Sequence, residues 1–346
     1  MKQGKEKVLV GISGGVDSCV AALMLKQQGY EVIGANLLLT PQSESGGQRE
    51  DALRVAQALD IELRFFDLRA LFAKRVIDYF TGEYLVGATP NPCIVCNRDI
   101  KFGALLDIAL KEGIGHIATG HFAKIEKTPD RWLLKKSESK KDQSYFLYML
   151  SQKQLSHALF PLEDMGKQAV REIALANNMP VATKPDSSEV CFVPDNDYAA
   201  FIQRYCGTAG IQGDFIDTRG EKLGRHKGII HYTIGQRKGL GAFGSPKYVT
   251  NINAQDNTVT LGDEDARFSK ELIAEQLNWI AFEDLKDEVR AQVKIRFNAK
   301  AASALITPLD EGRIHIVFDE PQNAITSGQA AVLYDGNRVL GGGRIV

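Results

Sequence analysis

Val8-Leu9-Val10-Gly11-Ile12-Ser13-Gly14-Gly15-Val16-Asp17-Ser18 is the stretch on which the fold turns. Val8 to Ile12 is a short apolar run of buried-strand type. Asp17 to Gln28 follows as a helix, with Val20, Leu23, Met24 and Leu25 on one side and Gly29 where a C-terminal cap belongs. Between them, Gly14 and Gly15 let the backbone approach an anion, toward which the helix turns its unpaired N–H groups and positive dipole end. Ser13 and Ser18 can add hydroxyl donors, and Asp17 can help hold Mg²⁺ at phosphates. A bare Gly-Gly would be a tight turn; the strand before it and the helix after it make the segment a phosphate site. It is neither the Lys-bearing Gly-x-x-x-x-Gly-Lys-Ser/Thr loop nor the Gly-x-Gly-x-x-Gly fingerprint.

Working outward, strands are expected at Val32–Ala35, Leu63–Phe66 and His116–Thr119, which closes the series. Helices are expected over Glu50–Leu59, Ala70–Tyr84 and Arg98–Glu112. This alternation argues an α/β unit with a parallel sheet covered on both faces, and ligands outside the carboxyl ends of its strands. The loops after Ile12, Ala35 and Thr119 should then open on one side. From about Asp195 helical periodicity fades. Val293–Phe297, Ile314–Phe318 and Ala331–Tyr334 read as strands, and Asp335-Gly336 as a hairpin turn before Arg338–Leu340, so the C-terminal part should be a small antiparallel barrel or sandwich. The expected division is residues 1–195, a mainly β central unit 196–270, and a barrel 271–346.

At 346 residues two or three domains are expected, and 44% hydrophobic with 25% charged content is that of a soluble globular protein. The net charge of -1 gives no global basic field, so any nucleic-acid site must be a local patch. Met1–Lys7 has the form of neither a signal nor a transit peptide, and no apolar run reaches membrane-spanning length, so a cytoplasmic protein without a membrane partner is expected.

Five cysteines, Cys19, Cys93, Cys96, Cys191 and Cys206, are too few and too scattered for a disulfide framework and suit a reducing compartment. Cys19 and Cys206 read as ordinary buried thiols. Asn91-Pro92-Cys93-Ile94-Val95-Cys96-Asn97 instead opens a helix, where a thiol should be acidified and act on sulfur or bind metal. Cys191 follows about a hundred residues on, in Asp186-Ser187-Ser188-Glu189-Val190-Cys191-Phe192. Zinc is a competing reading, but there is no second cysteine or histidine pair at finger spacing, and Cys191 with a distant histidine would have to complete the site.

The Ser-Gly-Gly-x-Asp-Ser loop resembles that of the N-type ATP pyrophosphatases, or PP-loop (adenine nucleotide alpha hydrolase-like) enzymes. The resemblance implies ATP cleavage between the α- and β-phosphates, adenylation of a carbonyl oxygen, and displacement of AMP by a nucleophile. Further stretches narrow it: Thr89–Pro92, Cys96-Asn97-Arg98-Asp99-Ile100-Lys101-Phe102, Ala118–His121, Lys141–Leu147, Cys191-Phe192, Tyr232–Gly241 and Leu340–Gly343. Together, in this order from first strand to last, they are similar to the bacterial tRNA-specific 2-thiouridylases. That resemblance implies sulfur transfer to the wobble uridine of lysine, glutamate and glutamine tRNAs, with sulfur brought by a donor protein. Carried over position by position, Gly11, Ile12, Ser13, Gly14, Gly15, Val16, Asp17 and Ser18 would bind ATP with Leu37 and Gly120. Cys96 would be the nucleophile and Cys191 the persulfide carrier. Asn91, Pro92 and Cys93 would lie near the target base, and His121, Lys141, Asp142, Gln143, Arg296, Phe297 and Gln329 would contact tRNA.

Two features depart from the family pattern. Many relatives carry aspartate where this chain has Cys93. Three thiolates, Cys93, Cys96 and Cys191, can hold three irons of a [4Fe–4S] cluster and leave the fourth open to sulfide, whereas in the persulfide version Cys96 resolves Cys191 as a disulfide. The Thr40–Gly47 loop is also shorter and less acidic than in relatives. Other readings are an amide-forming ligase of the same superfamily, which would not need the cysteines, and a non-catalytic RNA-binding or iron–sulfur carrier protein.

Overall fold

The computed structural model describes residues 5–43, 47–185, 190–193, 195–208 and 210–346. The first strand, β1 (Lys7–Gly11), runs into α1 (Val16–Gln27), followed by β2 (Glu31–Leu38), α2 (Gly47–Leu59) and β3 (Glu62–Asp67). A continuous helix over 69–85, another over 92–111 and then β4 (His116–Ala118) complete the expected alternation. Val8, Leu9 and Val10 are fully buried: Val8 and Val10 pack with α1 and α2, and Leu9 packs with Phe102 and Leu105 on the opposite face. A strand apolar on both sides needs this double cover, and burial contributes roughly 1.5–3 kcal/mol per large side chain.

The series does not close at β4. Next comes an antiparallel hairpin, β5 (Ala123–Lys127) with β6 (Trp132–Lys136), and then the two-residue β7 (Ala158–Leu159) pairs parallel with β4. The parallel sheet therefore has the order β3-β2-β1-β4-β7. Strand β2 also runs three residues past Ala35, so the second loop opens after Leu38. The helix after Asn91 begins at Pro92, six residues before the expected Arg98, because proline preset at the first helical position starts it. Of the Thr40–Gly47 loop, Pro41–Ser43 form a 3₁₀ turn and 44–46 lie outside the described residues.

Helix persists beyond Asp195, over Tyr198–Cys206, before the central sheet of β8 (Gly213–Ile216), β9 (Lys222–His226), β10 (Tyr248–Asn253) and β11 (Thr258–Gly262). The remaining strands are β12 (Phe268–Trp279), β13 (Val289–Lys294), β14 (Ala302–Leu309), β15 (Arg313–Asn323), β16 (Ala330–Asp335) and β17 (Arg338–Ile345). They close into an antiparallel barrel through β12–β17, and the hairpin joining β16 to β17 turns at Gly336-Asn337, with Gly336 at φ +60°.

Strand β16 alternates with period two. Ala331 and Leu333 face the barrel interior, while Ala330, Val332 and Tyr334 join the core of the first unit. Hairpin β5–β6 extends the barrel sheet, with Lys135 opposite Arg338 on β17 and the Lys136 amide donating to Asn337 at 2.7 Å. The barrel is thus built onto the parallel-sheet unit through shared core and shared sheet.

Candidate active site

Gly15 caps α1 with no side-chain hydrogen bond, so the first amides of the helix are not taken up by a capping side chain. Ser18 Oγ orders the loop, donating to the Gly15 carbonyl (3.0 Å) and accepting from the Ser13 amide (3.2 Å). From the neighbouring strand, buried Asn36 donates to the Ile12 carbonyl at 2.9 Å. Gly14 sits at φ +73°, and a Cβ there would lie 2.6 Å from the Gln48 carbonyl of α2. Gly120, just after β4, presses on the start of α1: a Cβ would lie 2.6 Å from Asp17 C and 2.8 Å from Ser18 N. Leu37 is half-buried on β2. The loop after β1 and the segment after β4 thus meet at the carboxyl ends of adjacent strands, as the parallel order requires.

Cys93 and Cys96 lie in one helix that begins at Pro92 and becomes π-helical over Cys96–Ala104. Residues five apart stand about 140° apart around an α-helix, whereas i→i+5 bonding draws them toward one face. The widened turn therefore brings Lys101 toward Cys96. Burial pushes the Cys96 thiol up to about 12, opposed by Lys101 and reinforced by Cys191 and Cys93. Cys93 and Cys191 present surface to solvent but sit in a recess whose walls raise both thiols, again opposed by Lys101. Burial thus raises all three thiols, where a helix start alone would lower them. The Cys191 segment begins at Val190 in the structure, since 186–189 lie outside the described residues.

Three neighbouring thiols are the right donor type for a [4Fe–4S] cluster. Their arrangement does not fit one as it stands: among the described residues no three His, Cys, Asp or Glu side chains converge to hold a metal ion. Cys19 is a buried thiol inside α1, as expected; Cys206 is exposed at the end of its helix, contrary to expectation.

Family models match the chain end to end: the tRNA methyl transferase HUP domain over residues 6–195, the tRNA methyl transferase PRC-barrel domain over 199–263, and the aminomethyltransferase beta-barrel domain over 269–345. The tRNA-specific 2-thiouridylase MnmA of Acetivibrio thermocellus is 50% identical, covering 99% of each chain. That of Clostridioides difficile is 50% identical over 98% of each. The chain belongs to the tRNA-specific 2-thiouridylase family. A U34-tRNA thiolase of Methanococcus maripaludis, solved with its [4Fe-4S] cluster, is similar over 59% of this chain and 68% of its own, at 16% identity and a TM-score of 0.36, a likeness too shallow to bear on chemistry.

In this 2-thiouridylase the residues expected to meet tRNA fall into two groups. Asn91 caps the cysteine helix without using its side chain, and Gln329 donates to the Thr89 carbonyl at 2.7 Å, tying the barrel to the loop before the cysteines. Both line a cleft of about 450 Å³ between the first unit and the barrel, where Arg98 and Arg344 also stand. Pro92 is buried behind them. The second group frames the loop after β6. Lys141 is exposed, but Asp142 accepts from the Ser137 amide (3.1 Å) and Ser144 Oγ (2.8 Å), and Gln143 accepts from the Phe122 amide (3.1 Å). Those two side chains shape the loop from within. Arg296 donates to the Ala324 carbonyl and to Thr326 Oγ1 (2.8 Å), and Phe297 packs 4.4 Å from Phe146, ring centre to ring centre. Both lie just past the end of β13, not on it. His121 packs against Phe102 and shares a 2.7 Å hydrogen bond with Thr119; burial, with Lys101 adding, holds its imidazole neutral.

Two lysines at the phosphate loop have no local signature among 42 lysines and arginines. Lys167 donates to Asp17 at 2.6 Å, and Lys184 donates to the Gly14 carbonyl at 3.0 Å and pairs with Asp51 of α2. They arrive 150 and 170 residues along the chain from their partners. Lys101, inside one of the family stretches, acts electrostatically on all three thiols and on His121.

Proposed function

We propose that the chain makes 2-thiouridine at wobble position 34 of lysine, glutamate and glutamine tRNAs, consuming ATP and releasing AMP and pyrophosphate. The observation carrying this reading is one continuous path of contacts. The uncapped start of α1 touches Gly120, His121 beside it packs on Phe102, and Phe102 shares the widened turn that carries Cys96 and Lys101. A short chain of packed residues therefore links the phosphate loop to the cysteine helix. A cytoplasmic setting suits this reading, with residues 1–195 for catalysis, and 196–270 and 271–346 helping to seat the tRNA.

The α1 amides, Ser13, Lys167 and Lys184 hold the triphosphate, and Asp17 is placed to help hold Mg²⁺. The uridine O2 attacks the α-phosphorus, and pyrophosphate leaves. A donor protein has meanwhile passed one sulfur to Cys191 as a persulfide, leaving its own thiol. The terminal sulfur of that persulfide attacks C2 and AMP departs. Cys96 then attacks the Cys191 sulfur, which releases the thiocarbonyl and leaves a Cys96–Cys191 disulfide for an external thiol to reduce. Lys101 faces the thiols and favours each thiolate as it forms.

The third thiol leaves a second version to be tested, in which Cys93, Cys96 and Cys191 would hold a [4Fe–4S] cluster, although their arrangement among the described residues does not fit one. Anaerobically purified protein assayed for iron and acid-labile sulfide separates the two. The persulfide version expects an iron-free, active protein in which Cys93→Ala retains most activity. Stoichiometric iron, with activity abolished in Cys93→Ala, would establish the cluster version instead.

The proposal as a whole is tested by mass spectrometry of tRNA nucleosides from cells with and without the gene. Loss of wobble 2-thiouridine is expected, and an unchanged level would refute it. At the phosphate loop, Lys184→Ala should raise KM for ATP about tenfold, or ~1.4 kcal/mol of lost binding, in a pyrophosphate-release assay. An unaltered KM would remove Lys184 from the nucleotide site.

A further inference from the structure

The net charge of -1 requires any tRNA surface to be a local concentration of cations. One lies on the seam between the first unit and the barrel. Strand alternation turns Arg290, Gln292 and Lys294 to the outer face of β13, with Val293 buried inside the barrel. Tyr334 stands opposite Gln292 in register and so shares that outer face. Lys136, the last residue of β6, places its ammonium 4.0 Å from the Tyr334 ring centre and donates to the Gly336 carbonyl at 3.1 Å. Lys294 places its own 5.4 Å from the ring centre of Phe297. A groove of about 250 Å³ lined by Arg290, Gln292, Tyr334 and Gly336 continues along the same face.

Lys136 and Lys294 are each half-buried, and neither has an ion-pair partner among the described residues. The carboxylate that acts on both is Asp142, and it is already occupied by Ser137 and Ser144. Burial lowers both lysines, and Lys136 adds to the effect on Lys294. Two partly desolvated cations on one face, Lys136 against Tyr334 and Lys294 two residues from the Gln292 that stands opposite Tyr334, suit an anion that completes the site. Exposed Lys140 and Lys141 lie on the loop that follows β6.

We infer that Lys136 and Lys294 form a phosphate-binding pair that seats the tRNA backbone on the seam between the first unit and the barrel. This rests on the reading that tRNA is the substrate. Backbone contact of this kind is independent of base sequence and strongly salt-dependent.

The test is fluorescence anisotropy of the full chain with an unmodified tRNA transcript between 50 and 200 mM salt. Lys136→Ala and Lys294→Ala should each weaken binding several-fold at the low end and reduce the slope of log K against log[salt] by about one. Lys136→Arg and Lys294→Arg should keep the wild-type slope, which separates lost charge from lost fold. A Lys136→Ala/Lys294→Ala double variant with wild-type slope and affinity would overturn this inference alone. Failure of the unsubstituted chain to bind tRNA would overturn it together with the reading beneath it.

Discussion

Cys96→Ser is expected to end sulfur transfer while leaving pyrophosphate release measurable. Cys96 is almost completely buried in the widened turn, where Lys101 and the other two thiols act on it electrostatically, and serine occupies nearly the same volume. The hydroxyl can neither resolve a persulfide nor ligate iron as a thiolate does, so both versions of the chemistry lose the same atom. Removal of a nucleophile from a catalytic unit costs at least about 10³-fold in rate. The check is a paired assay on purified protein, with thiouridine by mass spectrometry and pyrophosphate by a coupled enzyme. Intact thiouridine formation in Cys96→Ser would remove Cys96 from the sulfur transfer, whereas pyrophosphate release unchanged by the substitution, with no thiouridine from the unsubstituted chain, would point to an amide-forming ligase.

Gly120→Ala should be nearly as damaging by a different route. The new Cβ would meet backbone atoms of Asp17 and Ser18 at 2.6–2.8 Å, and backbone at a helix start cannot rotate away as a side chain can. The loop must shift by a good fraction of an ångström. Misplacement on that scale costs on the order of 10²-fold, read as a fall in kcat/KM for ATP with tRNA affinity kept. Gly115→Ala is the control, because nothing lies within 4 Å of its Cβ position. Equal activity in the two variants would show that the β4–α1 contact does not govern the phosphate loop.

The parts legible in the sequence are those whose causes are local. Val8–Ile12, the glycines and Gly29 announce strand, loop and capped helix within 22 residues, and Asp335-Gly336 announces a hairpin. What escaped depends on distant partners. Strand β7 is two residues long and exists because β4 lies beside it. Hairpin β5–β6 carries no mark that it belongs to a barrel sheet formed far downstream. The widened turn after Cys96 hides because it changes hydrogen bonding without adding a proline or glycine at its start. Burial of the thiols is hidden in the same way, because a helix start can be read from Pro92, whereas the walls around the cysteines cannot. Lys167 and Lys184 illustrate the same limit, since nothing adjacent to either indicates the carboxylate it will meet.

The joining of β6 to β17 also sets an order of events during synthesis. Lys136 and Gly336 are 200 residues apart, so a ribosome adding 5–20 residues per second leaves this edge without its partner for roughly 10–40 s. An unpaired strand edge invites pairing with the wrong chain, and lysines along it are a common safeguard. Lys135 and Lys136 on β6 stand where that protection is needed. The charge that keeps the nascent hairpin solitary is, at Lys136, the same charge that later faces the seam.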